Sequence, residues 1–151
     1  MIVLDTNVLS ELMRPAPEPR VVAWLDRQPG RDVAVTSITV AEILHGVRRL
    51  PAGRRKRRLT DLSIGLFNEE FAGRVLPFDA PAAAYYAEKL AACEKRGRPV
   101  HMADAQIAAI CERHGAVLAT RNIKDFEPLG VSLLNPWMAH SLASKLPTAA
   151  L

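Results

Sequence analysis

The sequence predicts an α/β domain: a central, mostly parallel sheet of four to five strands with helices on both faces. Three observations carry that reading. Short, almost uniformly apolar runs recur along the chain, the pattern of strands buried on both faces. Helical patterns separate them, which calls for parallel strands joined by right-handed crossovers. The length, 151 residues, suits one domain with one substantial core, and no linker or internal repeat divides it.

Ile2-Val3-Leu4 opens the chain as a strand, and Asp5-Thr6-Asn7 follow as helix-start residues. A short helix over 8–13 stops before Pro15, Pro17 and Pro19, and another is expected over 20–27. Residues 33–36 (VAVT) form the second strand. The helix 40–50 presents Ile43, Leu44 and Val47 on one face, and the helix 54–71 sets Leu59, Leu62, Leu66 and Phe67 beneath a basic face. Residues 74–78 (RVLPF) are a third strand, weakened by Pro77. Asp79 caps a helix over 80–96 that carries Pro81 in its first turn. The helix 102–114 ends at Gly115, a natural stop. Residues 117–120 (VLAT) and 131–134 (VSLL) supply the last strands.

Charge is unevenly placed. The chain holds 20 bases and 16 acids, net +4, but residues 48–58 (RRLPAGRRKRR) carry seven of the bases and no acid. The remainder has 13 bases against 16 acids, or −3. A mildly acidic body thus bears one strongly basic segment, centred on Arg54, Arg55, Lys56, Arg57 and Arg58. Such a run either meets an anionic partner or forms a solvated charged face. Cys93 and Cys111 are too few for a disulfide framework and sit in Ala-rich helical patterns as small apolar residues. Asp5 interrupts the apolar start, so no signal peptide is read. The longest uncharged stretch, 128–144, is broken by Pro128, Gly130 and Pro136 and is no membrane helix. A reducing cytoplasm is the expected setting. His45, His101, His114 and His140 show no zinc spacing, and Trp24 and Trp137 are read as packing anchors. No glycine-rich phosphate loop is present.

The carboxylates fall where a parallel sheet binds ligands. Asp5 closes the first strand, Glu42 lies in the first turn after the second, and Asp125 follows the fourth. Asp104 opens the 102–114 helix and joins them if that helix start faces the same edge. Singly, each has a bland reading: Thr39-x-x-Glu42 as a capping box, Asn122-x-x-Asp125 as a cap with a first-turn acid, Asp5 and Asp104 as helix-start acids. Together they would repel one another, and a hard divalent cation, Mg²⁺ or Mn²⁺, relieves that repulsion. A carboxylate-held ion that activates water, beside a basic segment that holds a polyanion, fits phosphodiester hydrolysis.

The ordered pieces I-V-L-D-T-N (2–7), T-S-I-T-V-A-E-I (36–43), H-M-A-D-A-Q-I-A-A (101–109), L-A-T-R-N-I-K-D-F (118–126) and V-S-L-L-N-P-W (131–137) resemble the PIN-domain ribonucleases. Within them the chain is similar to VapC-type toxins of bacterial type II toxin–antitoxin pairs, including the FitB-like branch. The resemblance implies a PIN-like nuclease domain over 1–137 and a loosely held tail over 138–151. It implies that Asp5, Glu42 and Asp104 bind the metal. At the fourth acidic position, either Asp125 supplies the carboxylate or Asn122 serves as a neutral neighbour of the metal. Thr6 and Thr120 hydrogen-bond the carboxylates or the attacking water. Implied partners are an RNA substrate and a cognate antitoxin whose tail lies across the active-site groove. Homodimers, toxin–antitoxin hetero-oligomers and promoter DNA reached only through the antitoxin follow in the same way. Residues 54–58 then touch either RNA or the antitoxin.

Two other classes compete. A haloacid-dehalogenase-like phosphohydrolase also begins with a strand ending in Asp, but wants a second Asp where this chain has Asn7. A non-catalytic RNA- or protein-binding module uses the basic segment but leaves the acids unexplained.

Overall fold

A computed structural model of the protein describes residues 1–139. The chain runs β1 (Ile2–Leu4), α1 (Thr6–Leu12), α2 (Pro19–Asp26), β2 (Val33–Thr36), α3 (Ser37–Arg48), α4 (Arg54–Gly65), β3 (Val75–Leu76), α5 (Ala80–Lys95), α6 (Met102–Arg113), β4 (Val117–Ala119), α7 (Ile123–Phe126) and β5 (Leu133–Leu134). The strands form one parallel sheet in the order β3-β2-β1-β4-β5.

Alternation along the strands splits the interior into two layers, because successive side chains leave opposite faces. Leu4, Val33, Val35 and Ala119 pack with Val8, Leu9, Trp24, Ile43 and Val47 from α1 to α3. Val3, Ala34 and Leu118 face the other way, onto Cys93 of α5, Ala105, Ile107, Ala108 and Cys111 of α6, and Phe126. Helices therefore cover both faces, as the sequence predicts. The small residues of α6 suit a tight approach to α5 and the sheet. Both cysteines are buried and free. Burial pushes the Cys111 thiol up to about 12, so it stays protonated and inert. The Cys93 and Trp24 packing roles hold.

Several local expectations change. Asp5 caps α1 directly: its Oδ1 accepts the Thr6 N–H at 2.8 Å, so that helix starts at Thr6 rather than residue 8. Thr36, not Thr39, caps α3, its Oγ1 accepting the Thr39 N–H at 3.1 Å. The Thr39-x-x-Glu42 capping box is therefore wrong, and Glu42 lies in the second turn, not the first. Leu44 is 40% exposed, one helical step off the buried Ile43–Val47 stripe. The helix over 54–71 changes form, with Leu66–Glu70 making a π-helical turn closed by the Phe71 N–H donating to the Leu66 carbonyl at 2.8 Å. The wider turn inserts one residue. That keeps Phe71 on the buried side with Leu62 and Leu66, which an uninterrupted α-helix would rotate away. β3 shrinks to two residues before Pro77, which has no N–H for the ladder. β4 and β5 are likewise shorter than read. Asn122 precedes α7 but its side chain makes no cap bond. The expected caps at Asp79, accepting from the Ala82 N–H at 3.0 Å, and at Gly115, with φ +59°, are present.

The basic segment 48–58 is a corner between two helices. Arg48 ends α3, and Arg54 to Arg58 open α4. Lys56 Nζ donates to the Arg48 carbonyl at 3.0 Å and Arg58 donates to the Met13 carbonyl at 2.7 Å. The tail expected over 138–151 lies almost wholly outside the described residues.

Candidate active site

The strand order makes the centre of the site. The chain moves from β1 outward through β2 and β3, then jumps to β4 on the other side of β1. Neighbouring strand ends there lead their connections apart and open a crevice at their carboxyl ends. Asp5 stands at that point. Its N–H donates to the Ala119 carbonyl at 2.9 Å, which fixes it between β1 and β4.

Side-chain hydrogen bonds hold Asp5 in place. Thr120 Oγ1 donates to Oδ2 at 2.7 Å and Asn7 Nδ2 donates to the same atom at 3.1 Å. Asn7 Nδ2 also lies 3.2 Å from Thr120 Oγ1, and Asn7 Oδ1 accepts the Arg121 N–H at 3.2 Å. Thr120 Oγ1 accepts the Asn122 N–H at 3.0 Å. A second chain of hydroxyls reaches Glu42: Thr6 Oγ1 donates to its Oε1 at 2.8 Å and contacts Thr39 Oγ1 at 3.1 Å, which contacts Thr36 Oγ1. Asn7, occupied in this way, stands where a phosphohydrolase of the competing class would need a free acid.

The resulting pocket, of about 600 Å³, is lined by Asp5, Thr6, Glu42, Asp104 and Asn122. Three carboxylates from β1, α3 and α6 thus converge. Burial raises the pKa of Asp5 above the ordinary carboxylate value, with Glu42 adding to the effect against the hydrogen bonds from Thr120 and Thr6. Asp104 is pushed up to about 6, first by burial and then by the charges of Asp5 and Asp125. Among the described residues, no three His, Cys, Asp or Glu side chains are grouped closely enough to cage an ion unaided.

The remaining expected residues separate. Thr120 lies behind Asp5, fully buried. Asp125 is exposed and outside the pocket lining, though close enough for its charge to act on Asp104. Of the basic run, Arg55 lines the pocket and Arg58 lines an adjoining groove, whereas Arg54, Lys56 and Arg57 line neither. His101 starts α6 without a side-chain cap bond.

Some lining residues went unread in the sequence. Asn7, Ser10, Glu11 and Arg14 all line the pocket. Asn7, Ser10 and Glu11 recur at helical spacing along α1, and Arg14 continues that spacing just past its end, a polar stripe whose period is visible once the helix is taken to start at Thr6. Arg14 pairs with Glu11 at 3.0 Å. Trp137, expected only to pack, is half-buried against the core yet also lines the pocket, with Arg121 over its ring.

A parallel sheet with an acid fixed at its switch point, and two more acids drawn to it from flanking helices, is the arrangement of a PIN domain. The PIN domain family matches residues 2–129, and the chain belongs to it. Within the family it is of the VapC and FitB toxin kind. It is 42% identical over 137 residues to the VapC ribonuclease Y4jK of Sinorhizobium fredii, covering 91% of this chain and 98% of that protein. It is 44% identical over 137 residues to the toxin FitB of Neisseria gonorrhoeae, covering 91% and 99%. A structure of FitAB bound to an IR36 DNA fragment superposes with a TM-score of 0.86 at 43% identity, covering 93% of this chain and 98% of that one.

Proposed function

We propose that the protein is the ribonuclease toxin of a toxin–antitoxin pair and hydrolyses RNA phosphodiester bonds at the pocket built on Asp5, Glu42 and Asp104. The observation that carries this reading is the convergence of those three carboxylates on one crevice, in a chain closely similar to a VapC ribonuclease and to FitB.

The donor set fits a divalent cation. It consists of hard carboxylate oxygens, and Asp5 and Asp104, whose pKa values are raised first by burial and then by neighbouring carboxylates, would be favoured in their charged forms by a cation beside them. Asp5, Asp104 and Glu42 would hold Mg²⁺ or Mn²⁺, with water and substrate oxygens completing the shell, which suits acids that do not form a closed cage. When bound, the ion supplies Lewis-acid polarisation of the phosphoryl group and a water of lowered pKa. Thr120 and Asn7 orient Asp5, and Thr6 orients Glu42. Asn122, rather than Asp125, lines the fourth side, and Asp125 adds to the negative field from outside.

A neighbouring groove of about 250 Å³, lined by Met13, Ile43, Val47, Leu50 and Leu59, shares Thr6, Ser10, Arg14, Glu42 and Arg55 with the pocket. An antitoxin segment seated there would pass Arg55 and Arg58 and reach the acids with a basic side chain. Homodimers, assembly with that antitoxin, and promoter contact through it belong to the same proposal. So does a cytoplasmic setting. No helix of the described residues is long and apolar enough to cross a membrane.

The test is expression with and without the adjacent-gene partner, comparing wild type with Asp5→Asn and Asp104→Asn on RNA. Wild type alone should arrest growth and cleave RNA, losing cleavage in a chelator and regaining it with Mg²⁺ or Mn²⁺. Cleavage by both variants at the wild-type level overturns the site.

A further inference from the structure

We propose that Arg121, seated on the ring of Trp137, grips an RNA phosphate next to the one being cleaved. The inference rests on the ribonuclease reading and assigns a substrate contact to that pocket. Arg121 directly follows Thr120, and its N–H is held by Asn7 at 3.2 Å, so its backbone is locked to the same network that fixes Asp5. Its side chain is nevertheless exposed and lines the acid pocket. The guanidinium lies 5.0 Å from the Trp137 ring centroid. Trp137 is itself anchored: its ring packs on the core on one side, and its backbone N–H donates to Asn135 Oδ1 at 2.9 Å.

The contrast with Arg14 is informative. Arg14 lines the same pocket and is paired with Glu11. Among the described residues Arg121 has no carboxylate within 4.0 Å, although the pocket wall carries four acids. The ring therefore holds the cation at the mouth of the site without consuming its donors. Cation–π seating leaves the planar fork of N–H groups directed at whatever enters. It also restricts a long side chain before binding, which lowers the ordering penalty of a bidentate phosphate contact. A polyanion entering an acid-lined crevice needs such a fixed positive contact beside the reacting group.

The experiment uses the Asp104→Asn protein, a labelled short single-stranded oligoribonucleotide and a salt titration in Mg²⁺. Adding Arg121→Ala should raise Kd about tenfold, the effect of one charge-assisted contact. It should also flatten the slope of log K against log salt by about 0.7, one single-strand phosphate. Arg121→Lys should restore the slope but only part of the affinity. Trp137→Phe should keep the contact and Trp137→Leu should weaken it. In the otherwise wild-type protein, Arg121→Ala should raise KM and leave kcat within about twofold, the signature of lost uniform binding. Unchanged Kd and slope overturn the assignment, as does a loss confined to antitoxin affinity, which would place a protein carboxylate on Arg121. Absence of RNA cleavage by wild type in Mg²⁺ overturns the ribonuclease reading instead, and the two failures are read from different measurements.

Discussion

The start of α4 is charged against its own dipole. Arg54, Arg55, Lys56 and Arg57 fill its first turn, which contains no acid, and Gly53 before them offers no side-chain cap. Unsatisfied N–H groups give a helix N-terminus about half a positive charge, and a cation there is unfavourable by about 0.3–1 kcal/mol. Arg54→Glu with Arg57→Glu reverses two of these charges at exposed positions that line neither cavity. Each reversal removes an unfavourable contact and adds a favourable one, so the pair should stabilise by about 2 kcal/mol at low salt. An acid at 54 also faces Arg58 four residues on, replacing repulsion with a pair worth about 0.2–0.5 kcal/mol. For a chain of this length the thermal midpoint should rise by about 4–8 °C. Differential scanning fluorimetry at low salt measures it, and repetition near 1 M salt, where the Debye length is about 3 Å, should abolish most of the gain. No gain at low salt, or an equal gain at high salt, refutes the electrostatic account. Removing two cations and adding two acids should also weaken RNA binding and reduce its salt dependence.

Three further outcomes follow from the buried network and the core. Thr120→Val removes the 2.7 Å bond to Asp5 in a fully buried setting and should destabilise by about 1–3 kcal/mol in urea denaturation, with RNA cleavage lost in parallel. Asp104 has a folded-state pKa of about 6 against an ordinary 3.8, so its contribution is full below the lower value and is lost as pH rises through the upper. Mg²⁺ should therefore raise the thermal midpoint more at about pH 7.5 than at about pH 5, where the proton already occupies that carboxylate, and equal gains at both pH values would contradict the assignment. Phe126→Ala, at the last residue of α7 and with no exposed surface, should cost about 3–5 kcal/mol by calorimetry or urea, without a change in metal affinity per folded molecule.

The sequence made the sheet legible because strands buried on both faces read as apolar runs whatever their context. Leu4, Val35 and Leu118 could go nowhere but inside. Two acids of the pocket, Asp5 and Glu42, were legible for a related reason, since a strand that ends in Asp, or leads into a helix with an acid, delivers it to the carboxyl edge of the sheet, whereas Asp104 opens α6 directly after α5 and no strand announces where it points. What failed was local phase. Thr39 looked like a cap because a hydroxyl three residues before Glu42 fits the capping pattern, and the pattern cannot tell it from Thr36. Thr36 is the true cap, which frees the Thr39 hydroxyl to contact Thr6 and so orient Glu42. The misplaced cap hid a link between two carboxylate-bearing segments.

The same one-residue logic separates Asn122 from Asp125. Both follow β4, and the sequence offers either as the fourth group. Asn122 is tied by its N–H to Thr120, whose hydroxyl also holds Asp5, so its position is set by the buried network. Asp125 lies inside the single turn of α7, where Phe126 must point into the core. Burial of the aromatic ring fixes the rotation of that turn and carries its neighbour Asp125 to the surface. A side chain at 125 can act on Asp104 only through its field. Asp125→Asn should therefore lower the Asp104 pKa while leaving the pocket's shape intact, whereas Asn122→Asp should raise it by adding a charge to the lining itself. Titration of Asp104 by carboxyl-detected NMR in the two variants distinguishes the roles, and shifts of the same sign would overturn this division.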